Sequence, residues 1–422
     1  MKKSMIIAGL AVCTALAALT GCGKDESAEK KLTVWSFTDE LNGMINDYYK
    51  PAHPDVEIEY SMTPTDQFPN KLDPVLQSGS GCPDVFALEN AFVRKYIESG
   101  LLLPLDDVYE EVKDKMADYP IKIGSADGHV YGMAWQVCPG AMFYRRSLAR
   151  KYLGTDDPAT VQTYFSDLNK FVETARLLKK KSNGVCDIVS SSEDMFMPYK
   201  GARKQPWVVG DKLVIDPAME DYMEMCKLLY TEEMSGRVDQ WSEGWFAGMK
   251  DDLKNEKGEP IEVFCYMLPT WGLHYTLKKN APQTSGDWAM CAGPANYYWG
   301  GTWIAAYKGT KKPELAKEMI KYLTTDDDFL MAYVKASGDT VGNLNVQNAV
   351  KDSFSEEYLG GQNHYKDFCE MAKGIDGKLI QGSDQQIESL FREAVIAYAG
   401  GEKTKEDALK DFKDQVSSTL GF

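Results

Sequence analysis

The stretch His129-Val-Tyr-Gly-Met-Ala-Trp-Gln-Val-Cys-Pro-Gly-Ala-Met-Phe-Tyr-Arg-Arg146 reads as two short strands in succession, residues 130–137 and 141–144, rich in β-branched and aromatic residues. Pro139-Gly140 lies between them. Proline donates nothing to a ladder and glycine admits positive φ, so the dipeptide marks a joint and not the middle of one strand. The joint falls a third of the way along the chain, with long α/β-patterned segments on both sides. It predicts that one lobe hands over to another here.

Upstream of the joint, KLTVWSF (31–37) is a β-rich strand running into Thr38-Asp39-Glu40-Leu41, where Thr38 is a good N-cap. The helix that follows carries Leu41, Met44, Ile45, Tyr48 and Tyr49 on one face, the stripe of a helix packed on a sheet. Pro51 and Pro54 stop it, and Val56-Glu-Ile-Glu-Tyr60 alternates as a strand with one wet face, completing a β-α-β unit. Residues 68–76 are patterned as a helix that Pro74 is expected to kink or end. PDVFALEN (83–90) then reads as a buried strand, with Asn90 capping a helix that carries Val93, Tyr96 and Ile97 and closes at Gly100. Strands and helices alternating at this spacing predict a parallel α/β sheet.

Downstream, residues 164–181 and 218–230 read as helices and 207–209, 212–215, 263–268 and 289–294 as extended. Residues 231–259, polar and rich in Gly and Trp, read as an elaborate loop. Pro313 opens a helix to residue 323, and Thr325-Asp-Asp-Asp328 reads as a capping box for the next. Helices over 387–398 and 405–420, the second capped by Thr404, close the chain.

At 422 residues, 44% hydrophobic and 26% charged, the chain has room for two or three domains of ordinary globular composition. Its net charge of −16 argues against nucleic acid or an anionic membrane surface as partner, because phosphate binding needs clustered Lys and Arg. Lys2 and Lys3 precede an apolar run over 5–19 that has the layout of an export signal. It ends in Leu19-Thr20-Gly21-Cys22, which looks like the bacterial lipobox, whose Cys receives a diacylglyceryl group. Residues 1–21 are therefore expected to be a signal peptide and 22–31 a lipidated, polar tether. Of nine cysteines, Cys13 leaves with the signal and Cys22 takes the lipid. The remaining seven include no C-x-x-C and no His at zinc-ligand spacing, so most are expected to be buried free thiols.

Together the lipobox, LTVWSFTDEL (32–41), PDVFALEN (83–90), SGLLLPLDDV (99–108), DGHVYGMAWQV and FYRR (within 127–146), GGTWIAAYKGTKKPELAKEMIKYLTT (300–325) and GEKTKEDALKDF (401–412) span nearly the whole mature chain. In order and spacing it resembles the extracellular solute-binding proteins of bacterial ABC importers, family 1, the maltose-binding-protein-like, carbohydrate-specific group. The resemblance implies an α/β, two-lobed periplasmic-binding-protein-like fold of type II, with discontinuous lobes, a hinge and an interlobe ligand cleft. Crossings are expected near 135–141, 283–287 and 323–328. They divide the chain into a first lobe of 32–137 plus 288–323 and a second of 138–287 plus 324–422. It further implies a sugar ligand, the membrane subunits of a permease as partner, attachment to the outer face of the cell membrane, a monomer, and no catalysis, metal or cofactor.

Ligands of open parallel sheets lie off the carboxyl ends of the strands, which separates the candidate acids. Asp84 opens its strand and reads as structural. Asp39 and Glu40 follow theirs; cap stabilisation at a helix start competes with ligand contact, and the resemblance implies contact, because the family's sugar-hydroxyl acceptors fall in this loop. Glu89 and Asn90 stand off another strand end by the same logic. Pyranose rings present apolar CH faces and polar rims, so a sugar site needs flat aromatic platforms among a few carboxylates and amides. Of nine tryptophans, four fall near expected lobe edges: Trp135 on the hinge, Trp271 after strand 263–268, and Trp299 and Trp303 around Gly300-Gly301. Trp271 matches in position an aromatic platform of the maltose-binding relatives, while Trp35 reads as core. Asp339, after Ser337-Gly338, completes the candidates.

Two other readings fit some of these features. Carboxylates among tryptophans also describe a glycan-cleaving cleft. Against it, no G-x-S-x-G, P-loop, H-E-x-x-H or intact G-x-G-x-x-G occurs, and the four histidines are scattered. A sensor or adhesion lipoprotein without transport would keep the same fold.

Overall fold

The computed structural model describes residues 30–421, so the signal peptide and Cys22 lie outside the described residues. One sheet has five strands and a second has four. The first is ordered β2-β1-β3-β9-β4, where β1 is Lys31–Ser36, β2 Glu57–Met62, β3 Val85–Glu89, β4 Gly132–Ala134 and β9 Thr302–Ala306. The second is ordered β8-β5-β7-β6, where β5 is Gly140–Arg145, β6 Cys186–Val189, β7 Glu262–Pro269 and β8 Trp288–Cys291.

The Pro139-Gly140 joint divides the chain as its composition predicts: β4 ends in the first sheet and β5 begins the second. β1 pairs parallel with β2 and β3, the β-α-β arrangement read from 31–62, whereas β9 runs antiparallel between β3 and β4. Leu32, Val34, Val85 and Ile304 of the first sheet are fully buried beneath Leu41, Ile45, Met319 and Leu323 of its covering helices. On the second, Tyr144, Ile188, Phe264 and Met267 pack against Phe171, Met223 and Phe391. Each such side chain contributes about 1.5–3 kcal/mol relative to exposure, so each sheet face has an independent core.

Asp84 is structural, as its place at the start of β3 predicts. Its carboxylate accepts from Thr33 N at 3.0 Å, Thr33 Oγ1 at 3.1 Å and Thr310 Oγ1 at 2.6 Å, tying β1 and β3 to the turn beyond β9. The seven cysteines of the described chain are free thiols, and all but the half-buried Cys82 are buried.

Four expectations need correction. β8 does not rejoin the first sheet: Trp288, Ala289, Met290 and Cys291 pair with Arg145, Tyr144, Phe143 and Met142. The return crossing therefore falls after Cys291 and not at 283–287. All four residues are buried, so no alternation in the sequence distinguishes one sheet from the other. Nor does the chain leave the first core at 323–328, since Phe329, Leu330, Val334, Val346 and Val350 remain in it. The passage comes later: Tyr358 and Leu359 pack in the second core, and the helix His364–Ala372 puts Tyr365 and Cys369 into the first and Phe368 into the second. The capping position there is Asp326, which accepts from Phe329 N at 2.8 Å, and not Thr325. Finally, Pro74 does not end its helix, which runs Phe68–Ser78 to Gly79 in the left-handed region. Pro74 lies on the exposed face, where the carbonyl that proline leaves without a donor costs least.

Candidate functional site

A cavity of about 450 Å³ opens between the two sheets, off the carboxyl ends of β1, β3 and β7. From the first sheet come Phe37, Thr38 and Glu40 after β1, and Glu89 and Asn90 at the end of β3. The second sheet contributes Trp271 and Tyr275 beyond β7. The β8 to β9 crossing adds Trp299, Gly300 and Thr302.

Its apolar wall is a cluster of three tryptophans. Trp241 and Trp271 lie nearly parallel, with centroids 6.2 Å apart at 16°, and Trp299 stands edge-on to both, at 5.8 Å and 5.6 Å. Trp271 Nε1 donates to Trp299 O at 3.1 Å, fixing one ring to the other segment's backbone. That approach needs glycine at 300: a Cβ there would come within 2.8 Å of Trp271 Nε1, and φ is +75°. Trp241 is 41% exposed and holds φ at +69°, a conformation a bulky residue keeps only when its surroundings impose it. The constraint comes from Asp194, whose Oδ1 accepts from Gln240 Nε2 and Trp245 Nε1, both at 2.9 Å, gripping the loop on each side of Trp241.

Opposite the rings lies a polar wall. Glu40 Oε1 accepts from His274 Nε2 at 3.0 Å and from the Tyr333 hydroxyl at 2.5 Å. Burial alone would raise Glu40, but the His274 and Tyr333 bonds outweigh it and hold the carboxyl below its ordinary value. For His274, burial alone would lower the pKa, and the Glu40 carboxylate raises it instead. The pair spans the cleft, since Glu40 follows β1 and His274 lies in the wide helical turn Gly272–Lys278 beyond β7. Asp339 stands behind, accepting from Gln136 Nε2 at 2.7 Å and from Tyr333 at 3.3 Å. One donor atom each of Glu40, His274 and Asp339 lies within 4.8 Å of the others, a spacing able to hold a cation. Of the three, Glu40 and His274 bond directly, Asp339 is joined to Glu40 through the Tyr333 hydroxyl, and His274 Nδ1 is buried with no partner, so the geometry is that of a cross-cleft network.

Of the candidates read from sequence, Glu40, Glu89, Asn90, Trp271 and Trp299 border the cavity, while Asp39, Trp135, Trp303 and Asp339 do not. Asp39 is exposed in the first turn of its helix. Trp135 and Trp303 are core residues, 0% and 1% exposed, and Trp303 Nε1 donates to Pro120 O at 2.7 Å. In each case the neighbour, Gln136 or Thr302, faces the cavity instead. Alternate side chains of extended backbone point to opposite faces, so an error of one residue exchanges core for cleft. Nor does Asn90 cap a helix: the helix Val93–Ile97 begins after Phe92, and Asn90 Oδ1 is buried with no partner. Sequence reasoning left Trp241 in its loop and passed over Phe37, Tyr275, Lys200 and Glu388, which also line the site.

Buried acids here set a pH dependence. Burial raises Glu89, Asp194 and Asp384 to about 7 each. The folded chain then keeps protons that the unfolded chain has already released, so each contributes stability that fades as pH climbs from the ordinary carboxylate range through 7. His274, with its raised pKa, acts in the same sense. His364, lowered by burial to about 4, opposes them, its contribution being lost as pH falls from the ordinary histidine value. Burial also raises Asp187, to about 6, and Glu193, Asp339 and Asp367, so the groups that lose stability as pH climbs outnumber His364 and the melting temperature is expected to decline from pH 5 to pH 8. Thermal scans at fixed ionic strength test this, and a melting temperature rising steadily across the range would refute it.

Two α/β sheets with a cleft at their carboxyl edges, walled by rings on one side and acids on the other, define a clamp for a small polar solute. The chain belongs to the bacterial extracellular solute-binding proteins, whose family model matches residues 44–358. It is 22% identical to the arabinooligosaccharide-binding protein of Bacillus subtilis (strain 168), across 91% of this chain and 89% of that one. Among solved structures it resembles the ABC transporter associated binding protein of B. animalis subsp. lactis Bl-04 in complex with beta-1,6-galactobiose, with a TM-score of 0.73 and 20% identity over 92% of this chain and 97% of that one. It also resembles the galacto-N-biose-/lacto-N-biose I-binding protein of Bifidobacterium longum, with a TM-score of 0.71 and 17% identity over 93% and 97%. These likenesses establish the two-lobed, type II fold.

Proposed function

We propose that the protein captures an oligosaccharide between its two lobes and delivers it to the membrane subunits of an ABC importer, without cleaving it. The tryptophan cluster carries this reading: Trp241, Trp271 and Trp299 meet at one wall while Glu40, Glu89, Asn90 and Gln136 supply acceptors and amides around it. That combination suits a ring with apolar faces and a hydroxyl edge, and suits a peptide, polyamine or metal poorly. Relatives named for arabinooligosaccharides and maltotriose, and neighbours solved with galactobiose and lacto-N-biose, support the same class. Lipid attachment through Cys22 would tether the protein, as a monomer, beside the permease on the outer face of the membrane.

A thermal-shift and calorimetric screen of sugars, amino acids, polyamines and metal ions tests the reading. A ligand at a hundredfold excess over Kd that binds only the folded state adds about 2.7 kcal/mol of stability. Stabilisation by oligosaccharides is expected, with the glycan recovered intact. Stabilisation by a peptide or polyamine and by no glycan would remove the sugar assignment, and release of shorter glycans would replace capture by catalysis.

A further inference from the structure

Beside the tryptophan-lined cavity lies a second chamber, also of about 450 Å³, and Asn90 and Lys200 border both. Its character differs. The far wall is formed by Arg203, Lys204, Tyr298 and a loop that includes Asp376 and Lys378.

Two of the acids around it, Glu388 and Asp376, are already engaged. Glu388 is bonded to Lys200 at 2.7 Å and to Trp207 Nε1 at 3.2 Å, and Asp376 pairs with Lys378 at 2.9 Å. Arg203 is 6% exposed, lies over the Trp207 ring at 5.2 Å, and donates through Nε to Lys200 O at 3.3 Å. Its Nη1 is buried with no partner. Asp384, 1% exposed, influences Arg203 electrostatically without bonding it, and both of its carboxyl oxygens are also unpartnered. A buried guanidinium nitrogen left without an acceptor is costly, and a buried amide oxygen such as Asn90 Oδ1 at the same chamber adds to that cost. The chamber is thus bordered by Arg203 and Asn90, each with a buried polar atom that lacks a partner, and by the exposed cation of Lys204, and it is contiguous with a site suited to sugar rings.

We infer that the second chamber receives an acidic unit of the cargo, a sugar residue bearing a carboxylate, with Arg203 taking the carboxylate and Asn90 a neighbouring hydroxyl. This rests on the oligosaccharide reading and narrows it: the preferred cargo spans both chambers and carries negative charge at one end. Guanidinium is the fitting group, since its fork matches the planar carboxylate and remains charged at every physiological pH.

Calorimetry on the full chain tests this with matched pairs of trisaccharides that differ only in ending with a hexuronate or the parent hexose, beside free hexuronate and inorganic phosphate as separate arms. The hexuronate member is expected to bind at least about tenfold more tightly. Arg203→Gln should remove about tenfold to a hundredfold of its affinity, as charge-assisted hydrogen bonds do, and change the neutral member less than about threefold. Arg203→Lys should fall between. Lys204→Gln, on an exposed side chain, should weaken only the acidic member and guards against Arg203 variants that fold poorly. Equal or tighter binding of the neutral members, or equal losses for both, would overturn the inference and leave the sugar reading standing. Phosphate bound as tightly as the acidic trisaccharides would overturn it too, in favour of a free-anion site. Failure of every trisaccharide would remove the sugar reading itself.

Discussion

Trp271→Ala is expected to reduce oligosaccharide affinity at least about a hundredfold while lowering the stability of the unliganded protein by no more than about 1 kcal/mol. Truncating an aromatic anchor at the centre of a site commonly costs about 2–4 kcal/mol of binding, and a hundredfold is 2.7 kcal/mol. The stability side follows from where the ring lies. Trp271 belongs to neither sheet's core; its ring neighbours are Trp241, Trp299 and Tyr275, all bordering the same cavity. What the folded chain loses is one hydrogen bond to Trp299 O and contacts among half-exposed rings. Trp299 supplies the contrast, because it also packs against buried clusters of the second sheet, so Trp299→Ala should lower both affinity and stability. Paired calorimetry and urea denaturation decide the matter. A large fall in unliganded stability for Trp271→Ala would place that ring in the core and take away the platform on which the sugar reading stands.

Much of this arrangement is legible in the sequence. The β-α-β unit at 31–62 follows from local patterning, because a helical stripe between two short β-rich runs has one economical way to bury itself. The Pro139-Gly140 joint was legible for the same reason, since its two residues restrict backbone conformation by themselves. Properties that depend on partners distant in sequence were not legible. β8 is four buried residues that either sheet might have taken. Glu40 and His274 stand 234 positions apart, and nothing local to either announces the bond between them. Trp135 and Trp303 were read into the cleft because they flank the hinge and a glycine pair, yet strand alternation turned them inward and exposed Gln136 and Thr302. Trp241 was hidden in a polar loop whose conformation is set from outside by Asp194. Aromatic surplus thus predicted the kind of site, while the strand phase chose which rings serve it.

Arg145→Met should destabilise the protein by about 3 kcal/mol, the other large effect expected. Removing one partner of a buried ion pair costs about 3–5 kcal/mol, because the opposite charge loses its compensation; here the acids retain some access to water, which moves the expectation to the lower end. Arg145 is 5% exposed at the end of β5, the strand that follows the joint. Its guanidinium forms a two-pronged pair with Asp251, at 2.7 Å and 2.8 Å, and donates through Nε to Asp287 at 2.9 Å while lying over the Trp288 ring at 5.3 Å. Asp287 in turn accepts from Ser147 N at 2.7 Å and Ser147 Oγ at 2.5 Å. One side chain thus joins β5, the turn into β8 and the segment after the helix Glu243–Met249, where Asp251 holds φ at +63°. That helix carries Trp245, which Asp194 uses to hold the Trp241 loop, so the loss should reach the cavity as weaker sugar binding, by a few fold and far less than for Trp271→Ala. With a urea dependence of about 3 kcal/mol per molar, the unfolding midpoint would fall by about 1 M. Arg145→Lys keeps the charge but not the fork and should recover only part of the difference. An unchanged midpoint for Arg145→Met would mean that strand pairing between β5 and β8 holds this edge without the ion pairs, and that the loop carrying Trp241 takes its shape from Asp194 alone.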